Sequence, residues 1–122
     1  MAGTVTTTEA ANKQFPINEI KFAWTSSAGG AADATSTDSY NGTVTEVQII
    51  PGGTTPSDLF DVVITDANSV DVLYGLGANC SNANTTILKP NAYLVASQLT
   101  LAVTNAGNAK TGTVIVKIAE RG

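Results

Sequence analysis

From Ile17 onward the chain alternates apolar and polar positions with a period of two. Ile20, Phe22 and Trp24 fall on one side and Glu19, Lys21 and Ala23 on the other, the pattern of a half-buried strand. Residues 26–34 are small and Gly-rich and read as a loop. Residues 35–40 read as a polar edge strand, and Asn41-Gly42 as a tight turn. Residues 43–50 return to strand composition and close on Pro51-Gly52-Gly53. Phe60, Val62 and Ile64 alternate with Asp61, Val63 and Thr65; residues 66–69 then predict a hairpin turn and 70–74 its return strand. A second loop is expected over 75–84, and a short strand over 85–88 that stops at Lys89-Pro90. The strongest pattern lies near the C-terminus. Leu99, Leu101 and Val103 share one face, residues 105–110 turn, and Val114, Val116 and Ile118 share a face of the next segment. Together these predict a hairpin.

About seven to eight short strands with no helical segment predict an all-β chain, an antiparallel β-sandwich or jelly roll. No repeat of solenoid or propeller length is visible. Residues 1–16 differ: they are polar, Val5 is their main apolar side chain before Phe15, and no apolar period runs through them. They are expected to form a flexible N-terminal arm, leaving 17–122 as a single sandwich domain. Extended Thr-rich sequence suits an arm that orders on a partner. Thr4, Val5, Thr6 and Phe15 are its candidate contact residues.

Composition sharpens this picture. Of 122 residues, 43 % are hydrophobic, enough for a core, while only 13 % are charged against ~25 % in ordinary soluble domains. Thr (18), Ala (17), Gly (11), Asn (10) and Ser (8) take the remaining places and favour strands and turns. The net charge is −4, and the basic residues are five scattered lysines and Arg121. A phosphate-tracking surface needs a basic stripe, so nucleic acid is not an expected partner. Apolar runs stop at three residues, as in Val62-Val63-Ile64, far short of the ~20 a spanning helix needs, so no membrane is expected either. The first residues have neither a basic start nor an apolar stretch, and no secretory signal is expected.

Chemistry is constrained by what is missing. There is no histidine, which excludes imidazole-activated nucleophiles and imidazole metal ligands. Cys80 is the single cysteine, so no internal disulfide or thiolate zinc site can form, and without a base nearby it reads as an inert thiol. Asp66, Asn68 and Asp71 are spaced somewhat like a calcium loop but lack its glycine and closing glutamate; a turn selects the same residues. Gly75-Leu76-Gly77 lacks the third glycine and the strand-to-helix setting of a phosphate loop. Glu46, Asp58 and Asp61 have no spacing that would define a glycosidase pair. No catalytic residue, metal or cofactor is therefore assigned. Trp24, Tyr40 and Tyr74 are candidate exposed aromatics, on which a carbohydrate-binding module would stack a sugar, although the alternation of Trp24 with Phe22 and Ile20 favours a core position. A surface built from Thr, Ala, Asn, Gly and Ser costs little to strip of water and suits contact with protein neighbours.

Two segments, FDVVITDANSVDVLYGLG at 60–77 and LTLAVTNAGNAKTGTV at 99–114, together with Tyr40-Asn41-Gly42, resemble small structural proteins of tailed bacteriophages encoded among the head genes. The likeness covers roughly residues 38 to 119 and carries no site chemistry. It implies a head decoration, or cement, protein: not an enzyme, but a β-rich body made in the bacterial host cytoplasm and placed on the outer capsid surface of the virion. Its partners would be the major capsid protein and itself, as a homotrimer rather than a homodimer. A tail or head–tail connector component is the alternative within the same resemblance.

Overall fold

The computed structural model describes residues 3–12, 17–36, 40–73, 75–89 and 93–120. Nine strands lie within them: β1 (Thr4–Asn12), β2 (Ile17–Thr25), β3 (Ala32–Thr35), β4 (Tyr40–Pro51), β5 (Asp61–Thr65), β6 (Thr86–Leu88), β7 (Tyr93–Ser97), β8 (Thr100–Thr104) and β9 (Thr111–Glu120). All pairings are antiparallel. The larger sheet runs β1-β2-β9-β4, with β6 and β7 placed end to end along the far edge of β4; the smaller runs β3-β8-β5. The chain is an all-β sandwich, and no helix occurs among the described residues.

The core follows the alternation. Ile20, Phe22, Trp24, Val114, Val116 and Ile118 from the larger sheet meet Val62, Ile64, Leu101 and Val103 from the smaller. Phe60 joins them, its ring 5.9 Å from that of Trp24 and tilted by 52°. Aromatic pairs in this geometry add about 0.5–1.5 kcal/mol beyond area burial.

Several expectations are corrected by the pairing. Residues 4–12 are not a free arm: they form β1, bonded to β2 in unbroken register from Thr4↔Thr25 to Asn12↔Ile17. A strand needs backbone partners more than an apolar stripe, and β2 supplies them; among the described β1 side chains, Val5 packs on the core. Of the polar strand expected at 35–40, Thr35 ends β3 and Tyr40 opens β4, with 37–39 outside the described residues; Asn41-Gly42 sits inside β4 instead of turning the chain. Gly42 pairs there with both Val95 of β7 and Glu120 of β9. β7 itself gave no alternation signal.

Of the return strand expected at 70–74, the described residues 70–73 form one bridge, Thr65↔Asp71. The Asp71 carboxylate accepts the amides of Leu73 (2.9 Å) and Gly75 (2.8 Å) and curls the chain into a turn. Val72 and Leu73 are then both buried, which no strand alternation allows. The C-terminal hairpin is not a hairpin. β8 pairs with β3 and β5 in the smaller sheet, whereas β9 pairs with β2 and β4 in the larger. Residues 105–110 therefore arch across the sandwich. Ser26 and Gly30 hold this arch: Ser26 Oγ accepts the Lys110 amide (2.8 Å) and donates to Gly107 O, and Gly30 O accepts the Ala106 amide (3.0 Å).

Candidate interaction surface

The pairing registers dictate which side chains share the outer face of the larger sheet. One row reads Thr4–Thr25–Thr111, and the next Thr6–Ala23–Thr113–Ile50. The third, Thr8–Lys21–Ile115–Gln48–Ile87, holds a single lysine. Among the described side chains charge gathers in the fourth, Glu19–Lys117–Glu46. Here Lys117 Nζ lies 3.4 Å from Glu46 Oε2, and Gln48 Nε2 donates to the same oxygen at 2.8 Å. The Gln48 hydrogen bond, with Lys117 beside it, holds the Glu46 carboxyl below its usual 4.5. This face is graded, uncharged and Thr-rich at one end and ionic toward the other.

The register of β4 depends on one irregularity. Val44 pairs with Ile118 but Glu46 with Lys117, so Thr45 is an extra residue, a bulge whose Oγ1 donates to Lys117 O at 3.2 Å. The bulge swaps the inward parity from Val44 to Val47 and Ile49. Without it, Gln48 and Ile50 would face the core.

Of the candidate contact residues, Thr4 and Thr6 stand exposed in the first two rows of this face. Val5 points to the opposite, core side, and Phe15 lies outside the described residues. Trp24 is corrected: at 2 % exposure it is a core residue and cannot be a stacking platform. Its Nε1 is buried without a hydrogen-bond partner. Tyr40 lies at the start of β4, its side chain outside the description, and Tyr74 is outside the described residues altogether.

The aspartates that prompted chemical readings build loops. Asp66 Oδ1 accepts the amides of Asn68 (2.9 Å) and Val70 (3.1 Å), an Asx turn that lets the chain reverse after β5. Asp61 takes the Asn79 amide at 2.9 Å and the Asn105 side-chain amide at 2.6 Å, tying the 75–80 loop to the arch after β8. Asp58 accepts the Asn82 amide at 3.2 Å. Among the described residues, no group of three or more acidic or cysteine side chains is placed to share an ion. Cys80 is buried and donates to Gly77 O at 3.0 Å. Burial, with Asp61 nearby, pushes its thiol up to about 11.

One open depression of about 350 Å³ lies beside the uncharged end, lined by Gly3, Thr4 and residues 25–29. It contains hydroxyls and backbone but no ionisable side chain. What sequence reasoning missed is the gathering of Thr4, Thr6, Thr25, Thr111 and Thr113, from β1, β2 and the distant β9, onto one face. Their shared outward parity is the only local signal, and it is meaningless until the strand order is known. No protein-family model matches the chain, and no curated protein matches it significantly.

Proposed function

We propose that this chain is an adhesive structural protein, a decoration protein of a tailed-phage head that holds neighbouring shell subunits through the outer face of its larger sheet. The observation that carries the reading is the charge-free breadth of that face: two registered rows, Thr4–Thr25–Thr111 and Thr6–Ala23–Thr113–Ile50, without an ionised group. Contacts centred on such surfaces avoid the desolvation cost of burying charge. The loop aspartates support the same reading, because their carboxylates are engaged in backbone hydrogen bonds that shape the loops. The resemblance of 60–77 and 99–114 to phage head proteins supplies the partner. Each copy contributes modest contacts, and engagement of several shell subunits at once raises avidity without new chemistry.

The test is co-sedimentation of the purified protein with heads of the encoding phage that lack it, and in parallel with tails. Saturable binding to heads and greater resistance of the shell to heat are expected. Thr113→Lys, which puts a charge in the middle of the uncharged face, lowers occupancy while leaving the fold intact. Absence of binding to heads overturns the reading, and binding to tails alone moves the protein to the tail.

A further inference from the structure

We propose that β1 is a self-pairing edge, through which two copies of this chain join their larger sheets antiparallel about a two-fold axis at Thr8. This goes beyond the adhesion reading and does not depend on it, since it concerns the protein alone in solution.

The direction of the backbone groups comes first. Ser26 donates its amide to Lys110 O at 2.8 Å, one step beyond the Thr25↔Thr111 pair. Along an antiparallel strand, each residue's N–H and C=O point to one side and successive residues alternate. Even-numbered residues of β2 therefore face β9, and odd-numbered ones face β1. Carried through the pairs Thr6↔Ala23 and Thr8↔Lys21, this turns the backbone groups of Val5, Thr7, Glu9 and Ala11 away from the sheet. Gly3 keeps the phase, its amide going to Ala31 O at 3.0 Å and not to β2.

The other edges are managed. The outer edge of β5 is covered: Gly77 O accepts the Val62 amide and Ile64 O the Val72 amide, each at 2.8 Å. β4 is covered by β6 and β7, and the remaining edge strands are short, with four residues in β3, three in β6 and five in β7. β1 has nine residues in unbroken register, without proline, lysine or bulge. Among the described residues no strand covers this edge, and a long edge without such guards accepts another strand.

A second copy fits it. Antiparallel pairing with Thr8 opposite Thr8 uses the whole strand, Thr4 against Asn12, and sets odd residues against odd, so outward amides meet outward carbonyls. It places Glu9, the one charge in β1, opposite Thr7; sliding by one residue to set Glu9 at the axis would oppose two carboxylates. Cross-strand threonine pairs are themselves favourable. The contact is isologous and closes on itself, giving a dimer where the phage resemblance implies a trimer.

Sedimentation of the purified chain tests it. A species of twice the 12.4 kDa chain mass is expected. Thr7→Pro removes one outward N–H and leaves the bonds to β2 intact, so dimerisation weakens about tenfold or more while cooperative melting persists. Independently, Thr8→Cys places two thiols across the axis at a non-hydrogen-bonded pair, where Cα atoms approach to about 4.5 Å, within disulfide reach. Mild oxidation then yields a covalent dimer, against a background set by Cys80 alone, which is buried. Thr113→Cys, on the same face but away from the axis, does not cross-link. A monomer at about 100 μM, or a larger oligomer in which Thr8→Cys fails to cross-link, overturns the proposal. Should Thr7→Pro fail to fold, the Thr8→Cys result decides.

Discussion

Trp24 and Gly112 face each other across the β2–β9 ladder, and the indole fills the space that a side chain at 112 would need. A Cβ built on Gly112 would sit 2.6 Å from Cε2 and 2.9 Å from Nε1 of Trp24. The ring is fully packed, also touching Phe60, so it has nowhere to go. Gly112→Ala therefore destabilises the protein by about 1–3 kcal/mol through overpacking. Urea unfolding followed by Trp24 fluorescence measures this, and an unchanged midpoint would show that the indole can shift.

Cys80 makes stability depend on alkaline pH. Its thiol is raised from an ordinary 9.0 to about 11, first by burial and then by Asp61. The folded state thus holds the proton more tightly than the unfolded chain, and this contribution is complete below pH 9. It is lost as pH rises from 9 through about 11, where the unfolded chain ionises first. Denaturation midpoints measured from pH 7 to 11 should fall in this window more steeply for the natural protein than for Cys80→Ala. The same burial predicts slow reaction of Cys80 with thiol reagents at pH 8 until denaturant is added.

Asp71 shapes the turn after β5 by accepting the amides of Leu73 and Gly75. Asp71→Ala leaves those donors without a charged acceptor and costs about 1–3 kcal/mol in chemical denaturation. Since Asp66 and Asp71 are both engaged with backbone amides, millimolar calcium should leave the melting temperature of the natural protein unchanged. A calcium-dependent rise would restore the ion-binding reading of this loop.

Glu46 titrates below its ordinary range because Gln48 donates to its carboxylate, with Lys117 adding to the effect. Its ionised form is favoured in the folded state, so the contribution is present above the unfolded value and lost as pH falls through the folded one. Gln48→Ala should move the Glu46 carboxyl midpoint upward in an NMR titration. The change in overall stability should be small, because the pair is at the surface.

How much of this was written in the chain differs from element to element. The apolar alternations of Ile20-Phe22-Trp24, Phe60-Val62-Ile64, Leu99-Leu101-Val103 and Val114-Val116-Ile118 all point into the core, as their period of two requires. Facing is a local property, settled by neighbours two residues away. β1 carries no such period, since its stability comes from the backbone of β2, and backbone groups are the same in every sequence. The spacing of Val44 and Val47 breaks the alternation in the sequence, and only the Thr45 bulge explains it.

The sequence by itself determined a strand-built chain with a charge-poor surface, the inward residues of its clearest strands, and loops shaped by aspartate. Which strands pair was decided by the tertiary structure. β8 and β9 look like a hairpin because each has one apolar face, but two packed sheets satisfy those faces equally well, and the bonds of Ser26 and Gly30 to the arch hold the two strands in opposite sheets. The threonine face likewise exists only once β1, β2 and β9 lie side by side. Facing is encoded over two residues, whereas pairing joins residues as far apart as Thr25 and Thr111 and is chosen by the whole chain burying its core at once.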